Sequence, residues 1–97
     1  MNAKQEFLKE IEGKELLCAT LALETNDKRF NLKVGFSTES LQSFLQLLDF
    51  DYDEHWGLDG HSYIWYKDGS WSERCQYNRS EIWDHRNTPK IPEYILR

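Results

Sequence analysis

The sequence predicts an α+β domain in which an antiparallel sheet of about five strands carries its helices packed on one face. Three observations indicate this class. Apolar residues recur at helical spacing in two segments, they alternate at strand spacing in others, and Asp68-Gly69, a strong signal for a two-residue hairpin, joins two strand-like segments. The predicted order is helix, strand, strand, helix, strand, strand, strand, and the 97 residues accommodate a single domain, 1–97.

Two helices and two strands are predicted in the first half of the chain. Residues 3–12 follow a capping residue, Asn2, and present an apolar residue at every fourth position. Residues 15–24 are apolar on both faces, as in an interior strand, and residues 29–36 alternate strictly. The inward side chains of this alternating strand are Phe30, Leu32, Val34 and Phe36. Ser37 or Thr38 can cap a second helix, whose buried face would contain Leu41, Phe44, Leu45 and Leu48.

Three further strands are predicted in the second half, followed by an extended tail. Strands 61–67 and 70–77 flank Asp68-Gly69, and Asn78-Arg79 offers a second two-residue turn into the strand SEIWDHR. Two prolines disfavour a full helix in the tail. We expect the tail to pack its apolar side chains on the domain, namely Ile91, Tyr94 and Ile95.

The two tight turns predict the cross-strand register and therefore the two faces of the sheet. Counting outward from them places Tyr63 opposite Arg74, and Arg74 opposite Trp83. One face would carry a candidate stacking surface composed of Tyr63, Trp65, Arg74, Trp83 and His85. The other would carry Ile64, Tyr66, Trp71, Cys75 and Ile82 with Glu73, Asp84 and Arg86. An arginine between two rings suits cation–π contact, but the pattern leaves open which face meets the helices.

Aromatic residues and negative charge both concentrate in the second half. All five Phe lie at or before Phe50, whereas all four Trp and all five Tyr follow it. The net charge is -5, and residues 49–60 contain five acids and no Lys or Arg. Such a loop is more often a solvated connection, but a ring within it can anchor a partner. The candidate partner-binding residues are Asp51, Tyr52, Asp53, Glu54, Trp56 and Asp59.

Several classes of function are disfavoured by the same sequence. The loop begins like a calcium loop, but Glu54 stands where that loop needs glycine and Gly60 where it needs a bidentate glutamate. The histidines lack metal-ligand spacing, and the known nucleophile and phosphate-binding motifs are missing. We therefore expect a non-enzymatic protein with no catalytic residues, no metal and no cofactor. The acidic balance argues against duplex DNA as a partner.

The composition predicts a protein of the cytoplasm. No stretch of the sequence is apolar over the length needed to span a bilayer, and the first ten residues lack the apolar segment of a signal peptide. Cys18 and Cys75 stand alone in strand-like segments, which favours buried free thiols over a disulfide or a metal pair.

A longer motif spans nearly half of the chain. It combines an F-x-Y-D loop with I-W-x-x-D-G-[ST]-W-S-E-R, then Y-x-x-S-E-x-W and P-x-I-P. Its residues here are Phe50, Tyr52, Asp53, Ile64, Trp65, Asp68 through Arg74, Tyr77, Ser80, Glu81, Trp83, Pro89, Ile91 and Pro92. This motif resembles the C-terminal signature of small uncharacterised phage and prophage proteins, although Asn78-Arg79 replaces their usual Asp-Gly. The resemblance implies a mobile-element origin and therefore the cytoplasm of a host cell.

Two functions follow as hypotheses. The first is a small acidic interaction module that binds, and thereby could inhibit, a host protein with a basic surface, such as a defence component. The alternative is a binder of single-stranded nucleic acid or a small ligand, which would stack on the aromatic sheet face. An exposed edge strand leaves open a homodimer formed by strand pairing.

Overall fold

Five strands form one antiparallel sheet in the described part of the chain, with two helices packed against one face. The structure is a computed structural model that describes residues 2–23, 28–52, 57–58, 61–77, 80–87 and 93–96. The elements are α1 (Ala3–Ile11), β1 (Leu16–Ala22), β2 (Arg29–Leu32), α2 (Thr38–Leu47), β3 (Tyr63–Tyr66), β4 (Trp71–Tyr77), β5 (Ser80–Arg86) and α3 (Glu93–Leu96). The strand order is β2-β1-β3-β4-β5. The predicted α+β class is confirmed.

Both long helices begin at the predicted capping residues. The Asn2 side chain accepts a hydrogen bond from the Gln5 backbone N–H at 3.1 Å, and the Ser37 hydroxyl accepts one from the Ser40 N–H at 3.1 Å. Each bond satisfies a backbone donor that has no partner within the first helical turn. The start of each helix is therefore fixed by a hydrogen bond between residues three positions apart.

The core lies between the two helices and the sheet. The Phe7 ring of α1 meets the Phe44 ring of α2 edge to face, with 5.5 Å between their centroids. Beneath this pair lie side chains from β1, β2, β3 and β5 and from the connecting segments. The buried cluster is Phe7, Ala19, Leu21, Leu23, Leu32, Phe44, Leu48, Leu58, Ile64, Tyr66 and Trp83.

Strand β2 and the tail differ from the predictions. Strand β2 ends at Leu32, because Gly35 adopts a positive φ of 82° and turns the chain towards α2, and Val34 is exposed rather than inward. The tail contains the short helix α3 instead of a wholly extended segment. Its Tyr94 and Ile95 are 77% and 63% exposed, so the predicted packing of these two side chains is wrong, while Ile91 lies outside the described residues.

The β3–β4 connection is one residue longer than predicted. The Tyr66 N–H donates to the Ser70 carbonyl at 3.0 Å, which leaves three residues, 67–69, in the loop. Within that loop only Gly69 has a positive φ, of 89°, whereas the predicted two-residue turn requires two such residues. Asp68 instead accepts the Ser70 N–H at 2.8 Å and organises the longer turn.

The extra loop residue shifts β3 by one position relative to β4. The side chains of β3 therefore lie on the opposite faces from those predicted. Tyr63 lies opposite Glu73, not Arg74 as predicted. On β4 and β5 the predicted pairs of Arg74 with Trp83 and of Ser72 with His85 are confirmed. We call the side packed by α1 and α2 the helix face; among others it carries Ala19, Leu32, Ile64, Tyr66, Ser72, Arg74, Trp83 and His85.

The opposite side, the open face, is not packed against α1 or α2. Cross-strand pairing assigns to it Cys18, Thr20, Arg29, Asn31, Tyr63, Trp65, Trp71, Glu73, Cys75, Ile82, Asp84 and Arg86. Both cysteines are free, as predicted, but half-buried rather than fully buried. Burial raises the pKa of the Cys18 thiol.

Candidate functional site

Only part of the predicted acidic binding loop can be placed. Asp51 is exposed and forms an isolated bridge with Asn2 at the start of α1. Tyr52 is half-buried, and its hydroxyl donates to Glu6 Oε1 at 3.0 Å. Burial raises the pKa of that hydroxyl above its usual range. Tyr52 is therefore not the exposed anchor that we predicted. The other predicted residues, Asp53, Glu54, Trp56 and Asp59, lie outside the described residues.

The predicted stacking surface does not exist as one surface. Tyr63 and Trp65 lie on the open face, but the other three members lie on the helix face, because the hairpin shift reverses β3 alone. Two of these three are buried: Arg74 is 4% exposed and Trp83 is 8% exposed. His85 stays exposed at the edge of the helix face, where its ring meets that of Tyr66. A stacking platform of all five is therefore wrong.

Arg74 is the centre of a buried polar cluster under α1. Its guanidinium forms an ion pair with Glu6 and lies 5.0 Å and 5.5 Å from the ring centroids of Tyr52 and Trp83. A second, longer ion pair of 3.9 Å reaches Glu81. The cluster holds α1 onto β4 and β5. No local pattern in the sequence indicates Glu6 as the partner of Arg74, because the two residues are 68 positions apart.

A second polar chain lies beside this cluster. Ser72 donates to Glu10 Oε2 at 2.6 Å, and the hydroxyls of Tyr66 and Ser72 are 2.7 Å apart. Burial raises the pKa of Tyr66 to about 12, so this hydroxyl stays protonated at neutral pH. Lys14 covers the Tyr66 ring, with its Nζ 5.6 Å from the centroid. These contacts account for the buried hydroxyls and reinforce the attachment of α1.

Ser70 lies between an acid and a histidine but lacks the geometry of a nucleophile. Its hydroxyl donates to Asp68 Oδ1 at 2.5 Å, and its Oγ is 3.0 Å from His85 Nε2. In a catalytic triad the histidine takes the serine proton and the acid contacts the other ring nitrogen. Here the Ser70 hydroxyl donates its hydrogen bond to the Asp68 carboxylate instead of to the histidine, and Ser70 is 2% exposed. The arrangement therefore fastens the β3–β4 turn to β5.

We expect the ionised Asp68 carboxylate in this turn to contribute stability that is lost in acid. The Ser70 hydroxyl and backbone N–H both donate to Asp68, and they hold the pKa of this carboxyl below its ordinary value. The folded state thus favours the ionised acid, which adds stability above the unfolded pKa of about 3.9. That stability is lost as the pH falls through the lower, folded pKa. In urea titrations across this range, Asp68→Asn is expected to lose less free energy of unfolding on acidification than the wild type.

Glu15→Gln, which neutralises an exposed acid at the start of β1, is the matched control for that comparison. It should retain the wild-type slope of unfolding free energy against pH in the acid range. Identical slopes for the wild type, Asp68→Asn and Glu15→Gln would show that the turn does not favour the ionised carboxylate.

Aromatic side chains line the centre of the open face. The rings of Tyr63 and Trp65 are stacked, with centroids 5.6 Å apart and planes 26° apart. Trp65 is directly opposite Trp71 on the neighbouring strand. Trp65 and Ile82 are 37% and 39% exposed. This is an apolar, ring-rich surface with charged residues at its border.

That charged border is formed on β4 and β5. Arg86 Nε lies 2.7 Å from Glu73 Oε1 and 3.1 Å from Asp84 Oδ2. The Arg86 side chain is 52% exposed, so these pairs are at the surface and contribute little to stability. An apolar aromatic centre with a charged rim is the composition of a recognition surface.

A shallow groove of about 310 Å³ runs between α1 and β5. It is lined by Glu6, Lys9, Glu10, Lys14, Ile82 and Trp83. Arg74 Nε and Trp83 Nε1 nearby are buried donors without a hydrogen-bond partner in the described structure. Glu6 and Glu10, however, already hold Arg74 and Ser72. The groove is thus a by-product of the α1 attachment, and the open face is the stronger candidate site.

Fold and site together define a small α+β domain with one helix-covered face and one aromatic open face. Comparisons with protein-family models, curated proteins and solved structures find no match for this chain. Across the described ranges, no helix has the length and apolar character to cross a bilayer. In the same ranges, no three His, Cys, Asp or Glu side chains are grouped so that they could hold a metal ion.

Proposed function

We propose that this chain is a non-enzymatic interaction module and that it binds a partner protein through its open face. The observation that carries the proposal is the aromatic centre of the open face, in which Trp65 is exposed and Tyr63 and Trp71 are half-buried. Tryptophan and tyrosine supply most of the binding energy in many protein interfaces, because they bury a large area at small entropic cost. Two helices already cover the other face, and neither of these helices packs on the open face.

Charge supports a partner with a basic surface. The chain has a net charge of -5, and the acidic segment 49–60 leads directly into His61 and β3. Residue 60 precedes Tyr63 by three positions in the sequence. A basic partner would be attracted to this acidic chain, and its association would slow as salt is added. On the resemblance to phage proteins, we propose a host protein as this partner, with inhibition of a defence component as one consequence.

A second candidate function rests on the stacked pair of rings. Tyr63 and Trp65 form an aromatic platform on a sheet, which is how several domains bind single-stranded nucleic acid. Glu73 and Asp84 lie on the same face, but Arg86 pairs with both of them. The net charge of -5 of the whole chain would repel phosphates and therefore favours a protein over a nucleic acid.

Truncation of the central tryptophan tests the proposal. Against a partner isolated from host lysate and then purified, Trp65→Ala is expected to lower the affinity about 30-fold, the loss typical of an interface hot spot. The matched control is Leu47→Ala, which removes a 53% exposed apolar side chain from α2, away from the open face. It should bind like the wild type.

Equal affinities of wild type and Trp65→Ala for the partner would refute the proposed surface. A parallel titration with single-stranded oligonucleotides, followed by tryptophan fluorescence, tests the second candidate. Quenching that persists at about 0.15 M salt and disappears in Trp65→Ala would favour nucleic acid.

A further inference from the structure

On the open face, the guanidinium group of Arg86 already contacts two carboxylates. Arg86 is directly opposite Trp71 in the β4–β5 pairing, and its Nε lies against Glu73 and Asp84 at 2.7 Å and 3.1 Å. The Arg86 side chain is half exposed, so the position that its guanidinium occupies is open to solvent. A cation held by two carboxylates, on the residue opposite a tryptophan, is therefore an arrangement that this surface accommodates.

The two carboxylates have capacity for a second cation. Each ionised carboxylate offers about four acceptor positions, and the contacts with Arg86 use one oxygen of Glu73 and one of Asp84. Two acids and one arginine leave an excess negative charge at this end of the face. Arg29, the other arginine on the open face, donates instead to Thr20 and to the His61 carbonyl.

Rings lie next to these acids. Glu73 is directly opposite Tyr63, whose ring stacks on that of Trp65. A long cationic side chain could therefore lay its aliphatic stem on the rings and place its charged end at Glu73 and Asp84. The buried cluster uses the same chemistry, because Arg74 lies against the rings of Tyr52 and Trp83 and pairs with Glu6.

We propose that the open face recognises an arginine side chain of the partner protein. The recognition surface comprises the rings of Tyr63, Trp65 and Trp71 and the carboxylates of Glu73 and Asp84. Arginine fits better than lysine, because its planar guanidinium stacks on rings and donates two parallel hydrogen bonds to one carboxylate. The inference rests on the proposed function, and it names the partner group that the aromatic centre binds.

Three peptides of identical length test the inference. The peptides differ at one position, which is repeated three times between glycine and serine. This position is arginine, lysine or citrulline, and citrulline has the shape of arginine without the charge. Calorimetry is expected to show the arginine peptide binding more tightly than the lysine peptide, and at least about tenfold more tightly than the citrulline peptide.

Variants of the full chain locate the binding. Glu73→Gln should lower the affinity for the arginine peptide about tenfold, whereas Glu39→Gln should change this affinity less than about twofold. Both substitutions remove one negative charge, but Glu39 is exposed on α2, which packs against the helix face. Arg86→Ala should strengthen binding, because it frees the acceptor positions that Arg86 occupies.

Equal binding of the arginine and citrulline peptides, no binding by any of the three, or equal losses in Glu73→Gln and Glu39→Gln would each overturn the inference. Weaker binding by Arg86→Ala would also contradict it. If the inference fails while Trp65→Ala still loses the purified partner, the proposed function stands with a different recognised group. If Trp65→Ala keeps that partner, the proposed function itself fails.

Discussion

Replacing Arg74 with alanine is expected to lower the free energy of unfolding by about 3–5 kcal/mol, the usual loss when one member of a buried ion pair is removed. Arg74 is 4% exposed and is paired with Glu6, whose side chain is 19% exposed. The variant leaves Glu6 without its cation and opens a space between the rings of Tyr52 and Trp83. Urea unfolding at neutral pH measures the loss, which is a large part of the total stability of a small domain.

Arg86→Ala is the matched control, because it removes the same side chain from the solvent-exposed pairs of the open face. Its loss should stay below about 1 kcal/mol. The double variant Glu6→Gln/Arg74→Met should recover part of the stability, since it leaves no unpaired carboxylate and refills the space. An Arg74→Ala protein as stable as Arg86→Ala would show that the buried cluster does not hold α1 to the sheet.

Phe7→Ala is expected to cost about 3–5 kcal/mol of unfolding free energy, because it deletes a fully buried ring from the centre of the core. Phe7 meets Phe44 edge to face and so joins α1 to α2 above the sheet. Chemical denaturation monitored by circular dichroism gives the loss directly.

The neighbouring substitution Leu8→Ala controls for helix propensity and for side-chain removal from α1. Leu8 is 39% exposed, so its truncation should cost less than about 1 kcal/mol. Similar losses for Phe7→Ala and Leu8→Ala would contradict the packing of α1 through its Phe7 side.

The helices and one hairpin could be predicted because their signals are local. Asn2 and Ser37 cap α1 and α2 as expected, since a capping bond joins residues only three positions apart. The inward residues of α2 follow from the 3.6-residue period, and Phe44 and Leu48 are indeed buried. The β4–β5 register, with Arg74 opposite Trp83, follows from the length of the turn that joins the strands.

The candidate site depended on one extra loop residue that composition does not reveal. Asp68-Gly69 indicated a hairpin, but the bond from Ser70 to Asp68 and the pairing of Tyr66 with Ser70 lengthened its loop to three residues. Because side chains alternate along a strand, this one residue moved Tyr63 and Trp65 away from Arg74 and Trp83. The predicted platform was thereby divided between the two faces.

The sequence by itself determined that this chain is an acidic α+β domain whose tryptophans and tyrosines concentrate in its second half, because periodicity and charge are properties of neighbouring residues. Only the tertiary structure decided which rings became core and which stayed at the surface. Trp83 is buried because α1 covers its side of the sheet and brings Glu6 to Arg74. Trp65 remains accessible because neither α1 nor α2 covers the other side. Which face the helices cover depends on contacts between residues that are far apart in the chain.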